Sequence, residues 1–173
     1  MSLYVKDGVL CMRKYTDDKD SRYFPDFVLP KEVEEIDSDV FIFTTYAQEH
    51  ISSINVEGGN PVFYAEGNCL INRKTKELVL GGDNAVIPSD GSVLYIGDFA
   101  FTGRKGLKHV VIPNAIVEIG EHSFMDSGIE EITIPYSVRH IGAEAFLDCA
   151  DLSEVTWRGG KFKEDQSGKT YKR

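Results

Sequence analysis

From residue 87 onward, the apolar positions of this chain follow one pattern written three times. The first copy runs Ile87-Pro88, Val93, Ile96-Gly97, Phe101, Leu107, Val110; the second Ile112-Pro113, Ile116, Ile119-Gly120, Phe124, Ile129, Ile132. The third is Ile134-Pro135, Val138, Ile141-Gly142, Phe146, Leu152, Val155, and the repeated phenylalanines lie 23 and then 22 residues apart. A fixed period of this size marks a solenoid, because one coil cannot bury its apolar positions alone and must stack on its neighbours. The expectation is a single interior with isoleucine over isoleucine and phenylalanine over phenylalanine.

Spacing inside a coil predicts its elements. Val110 and Ile112, Ile132 and Ile134, and Val155 and Trp157 are two residues apart, which is strand alternation. Proline directly after the strand lacks an amide donor and stops the ladder. A second short strand, such as 138–141, ends at a glycine that suits a tight turn with unusual backbone angles. The Ala-Phe or Ser-Phe segment after it is too short for a regular helix and predicts a turn or a single helical twist. Stacked coils then give parallel ladders of short strands.

The template extends backwards. Leu29-Pro30, Val33, Ile36, Asp37 in place of glycine, and Phe41 match it, after which Ile51, Ile54 and Val56 arrive late in an enlarged coil. Tyr4, Leu10, Arg13 and Lys14 recur 60 residues on as Tyr64, Leu70, Arg73 and Lys74. The first half therefore holds two long coils, each entered through a similar segment, with turns at Gly58-Gly59-Asn60-Pro61 and Gly81-Gly82-Asp83-Asn84.

Ile134 to Val155 spells, almost literally, the template Ile-Pro-x-x-Val-x-x-Ile-Gly-x-x-Ala-Phe-x-x-Cys-x-x-Leu-x-x-Val. On these residues the chain resembles the BspA-like leucine-rich repeat family over residues 4–157. Asn60-Pro61, Leu70-Ile71 and Arg73-Lys74-Thr75-Lys76 resemble a variant coil of that family. Asp37, the extra residues Ser89–Ser92, and Met125-Asp126-Ser127 without the cysteine depart from it and affect local turns. The resemblance implies a right-handed, β-rich α/β superhelix, a leucine-rich-repeat solenoid used for protein or surface-ligand binding, often within larger surface-associated proteins. It implies no enzymatic activity. The division expected is a repeat domain at 1–157 (two long coils, then three repeats of 22–25 residues) and a basic tail or cap at 158–173.

Charge changes this picture little. The net charge of −9 argues against nucleic acid as a partner. Residues 158–173 hold six cations against two carboxylates, a local +4, which leaves −13 on residues 1–157. Cys11, Cys69 and Cys149 are an odd number without CxxC spacing, so neither a disulfide framework nor a zinc site is expected, and Cys149 reads as core. No segment approaches the roughly 20 apolar residues of a membrane span, and the N-terminus lacks a signal-peptide stretch. A cytoplasmic chain is expected as written, or a cell-surface or secreted one if it is a fragment.

Candidate chemistry is sparse. Gly97 to Lys105 has the wrong glycine spacing for a phosphate loop, with Gly106 where Ser or Thr should stand. Asp17–Asp20 lacks the glycine and terminal glutamate of a calcium loop. His50, His109, His122 and His140 sit at unrelated phases, two of them in the outward columns His109–Glu131–Glu154 and Tyr95–Glu118–His140. No metal or cofactor is expected. Trp157 reads as a cap on the terminal coil, and the tail through Phe162 as an edge-protecting strand.

The outward strand positions carry the functional expectation: Lys108, His109, Glu130, Glu131, Thr133, Ser153, Glu154 and Thr156. Glu131 and Glu154 should lie one ladder step apart, an arrangement that is mildly destabilising and that folding does not need. The expectation is a non-catalytic interaction module presenting an acidic face to a basic protein partner. The alternatives are a spacer segment of a larger cell-surface adhesin and, behind it, an enzyme with an unrecognised concave-face site.

Overall fold

A computed structural model of the protein describes residues 2–13, 26–37, 40, 51–157 and 160–162, and every element of two or more residues among them is a β-strand. The chain is a leucine-rich-repeat-type β-solenoid of about five turns. The longest sheet among the described residues has six strands. Three of them form an antiparallel meander, β6 (Phe63–Glu66), β7 (Cys69–Asn72) and β8 (Glu77–Gly81). The pairs β9 (Tyr95–Ile96), β10 (Glu118–Ile119) and β12 (His140–Ile141) then continue in parallel. Register aligns Leu78, Ile96, Ile119 and Ile141 in one buried row, and Tyr95, Glu118 and His140 in an exposed one.

The 60-residue echo is a repeated hairpin. β1 (Ser2–Lys6) and β2 (Val9–Arg13) pair Tyr4 with Cys11 and Val5 with Leu10; β6 and β7 pair Tyr64 with Ile71 and Ala65 with Leu70. Both turn through two left-handed residues, Asp7 and Gly8 at φ 50° and 79°, and Gly67 and Asn68 at φ 58° and 59°. That is the twist-compatible turn that two-residue hairpins require. β4 (Glu35–Ile36) pairs in parallel with β2.

The opposite side of the coils carries β3 (Asp26–Leu29) parallel to β5 (Ser53–Val56), and β11 (Glu131–Ile134) parallel to β13 (Glu154–Trp157). β14 (Gly160–Phe162) closes that ladder antiparallel to β13, as expected of the residues through Phe162. The interior splits into two clusters. Leu70 faces the N-terminal one while its neighbours Cys69 and Ile71 face the repeat core, so β7 is the wall between them.

The phenylalanines form the predicted row. Phe101 and Phe124 stack at 5.0 Å and 7°, and Phe124 and Phe146 at 5.4 Å and 12°. Around them every second N–H donates to the next coil: Phe99 to Glu121, Phe101 to Ser123 and Gly103 to Met125, then His122 to Ala143, Phe124 to Ala145 and Asp126 to Leu147.

Three expectations need correction. Gly97, Gly120 and Gly142 are not left-handed; a Cβ on Gly120 would stand 2.6 Å from the Asp98 nitrogen, and one on Gly142 2.4 Å from that of Glu121. These glycines admit the backbone of the preceding coil. Left-handed angles fall two residues later, at Phe99, His122 and Glu144 (φ 59°, 52°, 54°). The turn expected over residues 81–84 is confined to Asp83 and Asn84; Gly81 ends β8, and a Cβ there would lie 1.8 Å from the Phe101 ring. Finally, 109–112 forms no strand, although its alternation matches that of β11 and β13. Phe41, the Asp17–Asp20 cluster, His50 and the tail beyond Phe162 lie outside the described residues.

Candidate interaction surface

Alternation within each coil sends Val110, Ile132 and Val155 into the core and their neighbours outward. Glu131, Thr133, Glu154 and Thr156 therefore share the outward face of the β11–β13 ladder, while His109 has the same phase in the unpaired segment 109–112 and Lys108, Glu130 and Ser153 stand just before these segments. Lys108, His109, Glu130, Glu131, Thr133 and Ser153 are exposed, and Glu154 and Thr156 half-buried. The β11–β13 register places Glu131 beside Glu154 and Thr133 beside Thr156.

Polar contacts divide this face. The Lys108 ammonium donates to Asp151 at 2.9 Å, and that contact raises the lysine pKa while lowering the aspartate's. Lys108 thus belongs to a local ion pair. Ser153 Oγ donates to the Glu130 carbonyl at 2.9 Å, and Thr156 Oγ1 to Glu154 at 3.3 Å. Glu131 has no ion pair or side-chain hydrogen bond among the described residues, and neither has His109. A column of exposed aliphatic side chains runs beside the carboxylates, with Val86 70% and Val111 82% accessible.

An open groove of about 810 Å³ lies between 109–115 and 131–135, bordered by Ser89 of the extra residues in the first repeat. A smaller one, about 470 Å³, lies between Asn84–Ile87 and His109–Pro113. Among the described residues no group of three or more His, Cys, Asp or Glu side chains could hold a metal ion. No helix among them is long and apolar enough to cross a membrane.

Two features escaped the sequence. Arg104 occupies the column of Ser127 and Cys149 and is fully buried; its Nε donates to the Gly81 carbonyl at 3.0 Å. Burial pushes its guanidinium down to about 10, and the Asp83 carboxylate opposes that shift. Arg104 thereby ties the end of β8 to the repeats. The only signal was a charged residue at a template position that wants a small buried one. On the turn side the His122 ring stacks on Phe99 at 5.0 Å, with Nε2 2.7 Å from Glu144 and Nδ1 3.3 Å from Glu121. Phe99, His122 and Glu144 share one repeat phase, and that phase was the available signal.

A BspA type leucine rich repeat region matches residues 83–164 in six copies, a little under half of the chain. Among solved structures, a leucine-rich repeat protein from Eubacterium ventriosum is similar at 22% identity and a TM-score of 0.59, covering 76% of this chain and 36% of that one. The pneumococcal vaccine antigen PcpA is similar at 20% identity and a TM-score of 0.51, covering 75% and 38%. These likenesses show the fold, and the chain spans little more than a third of either protein's length. No curated protein matches.

Proposed function

We propose that this chain, whose residues 83–164 match a BspA type leucine rich repeat region, is a non-catalytic module that binds a basic protein surface. The observation that carries this reading is Glu131. Its carboxylate is exposed, unpaired among the described residues, and one ladder step from Glu154. Opposed like charges cost folding a few tenths of a kcal/mol up to about 1. A cationic partner would convert that cost into attraction and would be steered by the net charge of −9.

The test is retention of candidate partners by immobilised protein, beside a Glu130→Lys/Glu131→Lys/Glu154→Lys variant. A partner held by the parent, released by salt and lost by the variant supports the reading. Equal retention by both proteins overturns it.

A second reading is a spacing segment of a larger surface-associated protein. It is favoured by the small share that this chain spans of its similar structures, one of which is a vaccine antigen. Function that survives replacement of residues 83–157 by an unrelated repeat array of equal length would select it.

A further inference from the structure

The strand face is interrupted at its middle. Among the described residues, the backbone of 109–112 makes no hydrogen bond to any other backbone group, and in 84–87 only Val86 does, donating to Gly67 at 2.7 Å. The coils have not parted elsewhere. The phenylalanine row holds 5.0 and 5.4 Å spacings, and β9, β10 and β12 remain in register. The opening is local, and both grooves lie along it.

Backbone N–H and C=O groups left out of a ladder beside an open groove bond to water or to another chain, and an extended segment is the protein partner that matches their spacing. Resting on the reading of this face as a protein-binding surface, we propose that the groove between 109–112 and β11 is a docking slot for an extended segment of the partner, added as a strand. The flanking columns specify its side chains. His109 and the uncompensated Glu131 flank one outward position, which takes lysine or arginine. Val111 and Thr133 flank the outward position two residues on, which takes a β-branched residue. Buried Val110 and Ile132 form the floor under the residue between them, which is aliphatic. A segment of four residues, the length of 109–112, spans about 13 Å.

Amide hydrogen exchange on the full chain tests this in two arms. Without a ligand, amides at 110–112 should exchange at least about a hundredfold faster than the paired amides of β11 and β13. Equal protection would mean the segment is already paired, and the slot would not exist. In the second arm the probe is the capped octapeptide Lys-Val-Thr-Val-Lys-Val-Thr-Val, beside a copy N-methylated at alternate residues and a copy with glutamate for lysine. The parent peptide should slow exchange at 110–112, and each altered peptide should bind about tenfold or more weakly. If N-methylation changes nothing while the triple charge reversal abolishes binding, the slot falls and the acidic face stands. If N-methylation weakens binding while charge reversal does not, the acidic-face reading fails and takes the basic specificity with it. Protection that arises from self-association, seen as mass rising with concentration, would overturn the partner assignment.

Discussion

On the turn side, residues 99–103 and 122–126 donate every second N–H to the following coil, at 2.6–3.0 Å, around a row of fully buried phenyl rings. On the strand side, those coils carry the same alternation of apolar residues, yet 109–112 pairs with neither neighbour. Equal hydrophobic patterns therefore do not guarantee equal ladders. What differs is the backbone. The turn side is held by left-handed residues in phase, Phe99, His122 and Glu144, then Gly103, Asp126 and Asp148, which fix the direction of each N–H. At 109–112, by contrast, the coil is anchored by its inward side chains and by bonds on either side of the segment, Glu130 N–H to the Lys108 carbonyl at 3.1 Å and Ile116 N–H to the Pro113 carbonyl at 3.0 Å.

The largest test of that contrast is Phe124→Ala. Phe124 is fully buried between two stacked rings, so truncation leaves a cavity within the row and should cost about 3–5 kcal/mol. Val111→Ala, on the open side, should stay within about 0.5 kcal/mol. Urea denaturation of both variants measures the difference, and equal losses would mean that the two sides are held alike.

Gly120→Ala comes next. Its new methyl would meet the backbone of Asp98, which cannot swing aside as a flexible side chain could. Forced displacement of packed coils should cost about 1–3 kcal/mol. Gly58→Ala, with nothing within 4 Å of the added carbon, should not reach that loss, and thermal melts of the pair isolate the close approach from glycine's intrinsic flexibility.

Glu77→Gln is smaller and has a pH signature. Burial first, and then the Asp98 carboxylate, raise the Glu77 pKa above its ordinary 4.5, while the Thr75 hydroxyl pulls it down. A carboxyl with a raised folded-state pKa holds its proton longer in the fold. The stability it contributes is present in acid and is lost as pH rises through the raised value. Gln at this position should therefore raise Tm at pH 7, and the gain should vanish below the ordinary pKa. A gain that persists at pH 3 would remove the electrostatic explanation.

Most of the architecture was legible because each apolar position repeats with one phase. A buried row needs the same residue type at the same step, and the Ile, Phe and Ile-Pro rows supply it. The hairpins were visible as an echo but not as hairpins, since Lys6-Asp7-Gly8-Val9 and Glu66-Gly67-Asn68-Cys69 share their left-handed geometry and little of their sequence. Close approach of backbones is invisible in one dimension, so Gly97, Gly120 and Gly142 looked like turn glycines. The outward positions of β11 and β13 followed from alternation, whereas the electrostatics around them did not. That Lys108 is neutralised by Asp151, 43 residues away, depends on which columns adjoin. The unpaired backbone at 109–112 has no side-chain signal.

Glu131→Gln should have the smallest effect on folding and still separates the two sides of the molecule. Removing one of two like charges in register relieves repulsion worth a few tenths of a kcal/mol up to about 1, so the variant should be slightly more stable than the parent. Because both groups are near the surface, the gain should shrink as salt is raised through 0.15 M, where the screening length is about 8 Å. Chemical denaturation at two ionic strengths reads it directly. A loss of stability would mean that Glu131 holds the fold, which would remove the unpaired carboxylate on which the proposed role of the strand face rests. A gain would identify a residue that folding tolerates at a cost, as a site kept for binding requires.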